Sequence, residues 1–112
     1  MKGISPQQLE EMLAEHGKWL TGKGSKRANL AETDLSGIDL SGMNLSGVDL
    51  HLSNLTGTDL SGANLCHAQL ESANLCDANL SGANLRFASL SNANLSGVDL
   101  SGVNLEATHL CN

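Results

Sequence analysis

Histidine and cysteine are the side chains of this chain best suited to chemistry, because imidazole and thiolate bind zinc and act as bases and nucleophiles. The chain has four histidines and three cysteines, which are His16, His51, His67, His109, Cys66, Cys76 and Cys111. Cys66 is adjacent to His67, but no further ligand stands nearby at the spacing of a zinc site or a catalytic dyad. The cysteines form no C-x-x-C pair and are odd in number, which does not fit a disulfide framework. The sequence therefore predicts reduced thiols, and no catalytic residue, metal site or cofactor.

Charge is divided unevenly along the chain. Residues 1–27 hold five Lys and Arg against three Glu, whereas residues 28–112 hold six Asp and three Glu against Arg86 alone. Such an acidic region repels nucleic acid and anionic membranes and leaves basic proteins as partners. The first 25 residues carry charges where a signal peptide needs an apolar run, and the chain lacks the roughly 18 consecutive apolar residues of a membrane span. We therefore expect a soluble, cytoplasmic protein that binds neither nucleic acid directly nor membranes.

A five-residue repeat dominates the sequence from about residue 28 onwards. Leucine occupies every fifth position from Leu30 to Leu110, seventeen times without a gap. The residue two before each leucine is small, the residue one before is nearly always Asn or Asp, and the two that follow are often Ser and Gly. Neither the period of an α-helix nor that of a strand keeps such leucines on one face. Each repeat must therefore be one extended side of a polygon that turns at Ser-Gly and stacks on its neighbours.

The repeats SGANL at 61–65 and 81–85 and SGVDL at 46–50 and 96–100 resemble the pentapeptide-repeat family. This resemblance implies an all-β solenoid, a right-handed quadrilateral β-helix in which four repeats make one coil. The leucine and the residue two before it then point inward, and residues twenty apart form outward columns. Residues 28–112 would give about four coils at the spacing of a β ladder.

Residues 1–27 lack the repeat and are predicted to form a capping helix and a linker. The segment Ser5-Pro6-Gln7-Gln8 supplies an N-cap, a proline at the first helical position and a capping-box glutamine. We expect a helix from about residue 6 to 20, unless Gly17 ends it early. Its apolar side chains should cover the open first coil, with a partner-binding helix as the alternative. These side chains are Leu9, Met12, Leu13, Trp19 and Leu20.

At the other end the repeat continues into Cys111-Asn112, and no terminal helix follows, so the sequence predicts an uncapped last coil. Two such ends can cover each other, as in the quinolone-resistance members of the family. The resemblance therefore leaves open a C-terminal end-to-end homodimer. The chain has no aromatic-rich C-terminal segment to hold such a contact together.

One column of the implied coil is acidic and contains Asp39, Asp59, Asn79 and Asp99. It resembles the acidic rows of family members that imitate DNA and bind a type II topoisomerase such as DNA gyrase. Two features count against this function, since those members are longer rods and no loop interrupts the repeats here. Asp and Asn also interchange at this position throughout, which is expected if either side chain bonds to nearby backbone.

Two repeats break the consensus with side chains that the coil itself does not require. His51-Leu52 and Arg86-Phe87 place an apolar residue where glycine usually turns the corner, and His67 shares a column with Phe87. We therefore predict a protein-contact patch of His67, Arg86, Phe87 and Leu52, against the alternative of neutral drift in a tolerant repeat. The sequence favours a non-catalytic scaffold or protein-interaction module. A DNA mimic is the first alternative, and an enzyme or metal-binding protein is the least favoured.

Overall fold

The computed structural model describes residues 1–24 and 26–110 of the chain. Its helix α1 spans Pro6–Leu20, and the chain from Asn29 onwards winds into stacked coils that pair through single-residue β bridges. No strand longer than one bridge forms within the described ranges. The reason is the repeat itself, because each five-residue side turns a corner before a second residue can join the ladder.

Each coil takes twenty residues. Parallel bridges join Asn29 to Asp49 and Asp34 to Asn54, and the same register continues to the pair Ser89 and His109. Since one repeat forms one side, twenty residues make the four-sided coil that the resemblance implied. The right-handed sense of the coil stays a prediction.

The corners are β-turns in which the residue two after each leucine is left-handed. At one such corner, the Ala63 backbone N–H donates to the Leu60 carbonyl at 3.0 Å. Gly62 lies between them with a φ of 66°. A positive φ at the third turn residue, with none at the second residue Ser61, is the pattern of a type II turn, for which glycine is the favoured residue.

The Asn or Asp before each leucine ties its own corner. Asp59 Oδ1 accepts hydrogen bonds from the Ser61 backbone N–H at 3.0 Å and from its hydroxyl at 2.6 Å. Asn84 Oδ1 accepts one from the Arg86 backbone N–H at 3.0 Å. Both side chains offer the same oxygen, so the predicted reason for their interchange is confirmed.

The interior is a column of aliphatic side chains. All twelve leucines from Leu30 to Leu85 are less than 2% exposed, and alanines such as Ala63 and Ala83 fill the space beside them. Exposure rises in the last described coil, to 41% at Leu100, 39% at Leu105 and 51% at Leu110. The rod is thus closed at its N-terminal end and apolar at the other end of the described chain.

Helix α1 covers the first coil, as the sequence predicts. The Gln8 backbone N–H donates to Ser5 Oγ at 3.1 Å, and the Ser5 N–H donates to Gln8 Oε1 at 3.0 Å, which completes the capping box. Gly17 does not end the helix. Leu9 is buried, and Met12 and Leu13 pack against the same core. Within the described parts of the chain, no helix is long and apolar enough to cross a membrane.

Two further contacts hold the cap, and the sequence indicated neither. Lys2 bridges Thr33, so the residues before α1 pair with the edge of the first coil. His16 is 1% exposed, and its Nδ1 accepts a hydrogen bond from the Ala28 N–H at 3.0 Å. Its Nε2 lies 2.8 Å from the Ser46 carbonyl oxygen. A neutral ring with its proton on Nε2 satisfies both contacts.

Candidate functional site

The four-sided register sorts the repeats into four columns, which we name by their leucines. Side 1 holds Leu30, Leu50, Leu70, Leu90 and Leu110; side 2 begins at Leu35, side 3 at Leu40 and side 4 at Leu45, each continuing in steps of twenty. The two residues after each leucine form the corner of the same number. Side 1 therefore lies between corner 4 and corner 1.

Departures from the repeat consensus are concentrated around side 1. Side 3 and corner 3 have none, since every described repeat there keeps Asp or Asn, then Leu, Ser and Gly. Side 1 and its two flanking corners, which we call the side 1 surface, carry most of the irregular side chains. These are Ala31, Glu32, His51, Leu52, Cys66, His67, Gln69, Glu71, Ser72, Arg86, Phe87, Ser89, Asn92, Glu106, Ala107 and His109.

Backbone strain follows the same distribution. Within residues 1–24 and 26–110, eight residues other than glycine have a left-handed φ of 56° to 63°, namely Glu32, Leu52, His67, Ser72, Asp77, Phe87, Asn92 and Ala107. All of them except Asp77 lie on corners 4 and 1. A side chain in this conformation costs about 1–2 kcal/mol, which glycine avoids. The side 1 surface therefore keeps side chains where the fold alone favours glycine.

Corner 4 presents a stack of two rings. The His67 and Phe87 rings are 4.9 Å apart between centroids and 8° from parallel. Arg86 lies beside them, with its guanidinium carbon 5.2 Å from the Phe87 centroid and its Nη2 3.0 Å from Glu106 Oε1. Phe87 is 46% exposed, so one edge of the stack faces outward.

Trp19 lies on the same corner as this stack, and its place corrects the prediction that it caps the core. The indole is 36% exposed and lies against corner 4, where a Cβ added to Gly47 would meet Trp19 Cη2 at 3.2 Å. Gly47 begins the column that His67 and Phe87 continue. Trp19 is held at this corner by His16. The two backbone contacts of His16 fix α1, and its ring stacks on the Trp19 ring at 5.3 Å between centroids.

Corner 1 combines an exposed leucine with an acidic surrounding. Asp49 Oδ1 lies 2.6 Å from His51 Nδ1, and this hydrogen bond is the main cause that raises the pKa of His51. Desolvation opposes the shift, whereas the charges of Asp49, Glu32 and Glu71 add to it. Leu52 is 46% exposed, and its backbone N–H donates to the Glu71 carbonyl at 2.9 Å.

The sequence-predicted patch is therefore one cluster and one separate residue. His67, Arg86 and Phe87 meet on corner 4, whereas Leu52 lies on corner 1, on the other edge of side 1 and two coils away from Phe87. Sequence reasoning assigned Trp19 to the cap core and did not include the acidic residues around Leu52 in the patch. A count of consensus departures in columns of twenty would have found the second group.

The remaining candidates for chemistry stay apart. In residues 1–24 and 26–110, no group of three or more His, Cys, Asp or Glu side chains can hold a metal ion. Cys66 and Cys76 are free and lie on corners 4 and 2, on opposite edges of the coil. Cys111 lies outside the described residues. A groove of about 750 Å³ between α1 and the first coil is lined by charged and apolar side chains, which include Lys2, Lys26, Arg27, Glu11, Glu15 and Leu30.

The acidic column of side 3 is engaged in the fold. Bridges join Asp39 to Asp59 and Asn79 to Asp99. The Ser41 hydroxyl and backbone N–H lower the pKa of Asp39, and the backbone N–H and hydroxyl of Ser101 do the same for Asp99. These carboxylates therefore accept hydrogen bonds within their own corners.

Comparison with known proteins identifies relatives of this coil. The family described as Pentapeptide repeats matches residues 26–62 and 68–106, in eight copies. A pentapeptide repeat protein, Rfr23, from the cyanobacterium Cyanothece 51142 is 46% identical with a TM-score of 0.76; the match covers 78% of this chain and 59% of that one. The chain therefore spans less than two thirds of that relative. The pentapeptide repeat protein alr5209 from Nostoc Pcc 7120 is 30% identical with a TM-score of 0.77, over 99% of this chain and 88% of that one.

A more distant likeness is to a pentapeptide repeat protein of the Arabidopsis thaliana thylakoid lumen. It is 26% identical with a TM-score of 0.52, over 72% of this chain and 63% of that one. No curated protein matches the chain significantly.

Proposed function

Because the chain belongs to the pentapeptide-repeat family, we propose that it is a non-catalytic scaffold or protein-interaction module built on a right-handed coil. The observation that carries the proposal is the concentration of strained and exposed side chains on the side 1 surface. A coil that served only as a spacer would keep glycine at every corner, since glycine fits there at lower free energy. Strained residues kept at one surface indicate a role outside folding.

The non-catalytic part of the proposal rests on how the interior is filled. Catalysis needs a concave pocket with converging polar groups, and the coil fills its centre with Leu and Ala side chains. Polar side chains point outward from flat sides, where water screens them. Such sides suit contacts with another macromolecule.

The test is site-resolved crosslinking in extracts of the source organism. A photoreactive residue is placed at one outward position of each side, for example at Asn79 on side 3 and at Gln69 on side 1. We expect one protein to crosslink from one side and to bind the purified chain saturably in calorimetry. Crosslinks that are absent, or equal from all four sides, would contradict an interaction module.

A C-terminal end-to-end homodimer is part of the proposal. It is supported by the three leucines of the last described coil, Leu100, Leu105 and Leu110, which are all exposed. A second copy would bury them as the next coil does elsewhere in the rod. Light scattering checks this, because a mass of one chain in solution at micromolar concentration would exclude the dimer.

The rival function is a DNA mimic that binds DNA gyrase. Its supporting observation is the column that joins Asp39, Asp59, Asn79 and Asp99. We expect no effect of the protein in a supercoiling assay with purified gyrase, because these side chains bond to their own corners. Inhibition at micromolar concentration would favour the mimic instead.

A further inference from the structure

From the side 1 surface we infer the chemistry of the partner: a basic amphipathic protein segment, with Lys or Arg beside apolar side chains. The inference rests on the proposed function and makes it specific to one surface and one kind of ligand. Three independent observations support it, which are the apolar side chains, the orphaned polar atoms and the charge.

The apolar side chains lie at the two edges of this surface. Phe87 on corner 4 and Leu52 on corner 1 are each 46% exposed, in left-handed conformations that cost free energy. Gln69 and Ser89 lie between them on side 1, where the other sides carry Asn or Asp. Leu52 and Phe87 are two coils apart along the rod, so a segment that crosses side 1 diagonally would meet an apolar contact at each edge and polar groups at the centre.

The orphaned polar atoms also lie here. Among the described residues, two buried side-chain polar atoms lack a hydrogen-bond partner, namely Glu71 Oε1 and Arg86 Nε, and both belong to the side 1 surface. A buried polar atom without a partner costs about 1–3 kcal/mol. Glu71 and Arg86 are only partly buried as residues, so a change of rotamer would bring Glu71 Oε1 to a donor such as Lys or Arg, and Arg86 Nε to an acceptor such as a backbone carbonyl.

The charge of the surface selects a basic ligand. Its carboxylates are Glu32, Asp49, Glu71 and Glu106, against Arg86 as its one Lys or Arg. Arg86 is already paired with Glu106, at 3.0 Å. Glu32, Asp49 and Glu71 surround Leu52 and His51, so negative charge and an apolar contact lie together on corner 1.

The probe is a fluorescein-labelled helical peptide of about 18 residues with Leu on one face and Lys on the other. A second peptide with Glu at each Lys position is its control. Fluorescence anisotropy measures binding to the full chain. We expect the Lys peptide to bind saturably and the Glu peptide not to bind.

Two variant pairs locate the binding. L52G/F87G removes both apolar contacts and restores the consensus glycine at both corners, so the variant should fold and bind at least about tenfold more weakly. D77G is its control, because Asp77 is a strained residue that lies off this surface. We expect D77G to leave binding unchanged. E71Q removes one negative charge from the side 1 surface, and D59N removes one from side 3. We expect E71Q to weaken binding several-fold more than D59N.

Specific outcomes of these binding measurements would overturn the inference. It fails if the Lys peptide does not bind the wild-type chain, or if the variants of both surfaces weaken binding equally. If L52G/F87G does not fold, the comparison of E71Q with D59N decides alone. A natural partner that crosslinks only from side 3 would contradict this inference and leave the interaction module standing.

Discussion

The imidazole of His67 lies flat on the ring of Phe87, with 4.9 Å between centroids and 8° between planes. Both residues are left-handed, with φ of 62° and 61°. Stacking of this kind stabilises by about 0.5–1.5 kcal/mol, which offsets part of the cost of two strained side chains. Leu52 carries the same strain at φ 58°, and its aliphatic side chain cannot form a ring stack.

Leu52→Gly should therefore stabilise the protein more than Phe87→Gly does. We expect the first substitution to raise the free energy of unfolding by up to about 1 kcal/mol, because it relieves strain and gives up only an exposed side chain. The second should be close to neutral, since it also loses the His67 stack. Urea denaturation of the two variants measures the difference. A loss of more than about 1 kcal/mol in L52G would show that Leu52 is structural.

Gly47→Ala should perturb the cap, whereas Gly57→Ala is its matched control. Both glycines are left-handed, at φ 74° and 66°, so each added methyl costs about 1 kcal/mol in strain. A Cβ at Gly47 also meets Trp19 Cη2 at 3.2 Å, while nothing lies within 4 Å of one at Gly57. We expect G47A to be the less stable variant, with a shifted emission of the single tryptophan. Identical spectra in the two variants would contradict the packing of Trp19 on this corner.

Acidification should loosen the cap through His16. Burial is the main cause that lowers the pKa of His16, and the charge of Arg27 adds to it, while the hydrogen bond to the Ser46 carbonyl opposes it. The folded state favours the neutral ring. The stability from this preference is complete above about pH 6.5 and declines as the pH falls from there to the lowered pKa, because the unfolded chain binds the proton first.

His51 acts in the opposite direction in this pH range. Its pKa is raised, so its contribution is present below about pH 6.5 and is lost as the pH rises through the raised value. The measurement is therefore made in an H51Q background. Urea denaturation is followed by the fluorescence of Trp19, from about one pH unit above to about 1.5 units below the ordinary histidine pKa of about 6.5. Stability that does not fall on acidification would contradict the neutral His16 lock.

Asp49→Asn should lower the pKa of His51 toward the ordinary value. The substitution weakens the hydrogen bond to His51 Nδ1, which is the main cause of the shift, and removes the charge of Asp49, which adds to it. It keeps an oxygen for the His51 backbone N–H. Glu71→Gln should lower it less, since Glu71 acts only through its charge. NMR titration of the imidazole C–H signals measures both. An equal effect of the two substitutions would contradict the dominance of the hydrogen bond.

The leucine period by itself determined the kind of fold and most of the core. An uninterrupted five-residue pattern is incompatible with a helix or a long strand, so stacked short sides were the remaining arrangement, with leucine and the small residue two before it inside. The capping box likewise determined where α1 begins, since its hydrogen bonds are local in sequence.

Only the tertiary structure decided which outward residues are neighbours. A period of five is the same for three and for four sides, and the register of twenty comes from backbone bridges between distant repeats. That register places Leu52 on the opposite edge of side 1 from Phe87, two coils away along the rod, and gathers most of the strained corners around one surface. The tertiary structure also decided the place of Trp19. An apolar helix face does not reveal that His16 will bond to Ser46 and Ala28, and this bonding holds the indole at corner 4. Local patterns specify local geometry, whereas a surface made of residues twenty apart exists only after the coils have stacked.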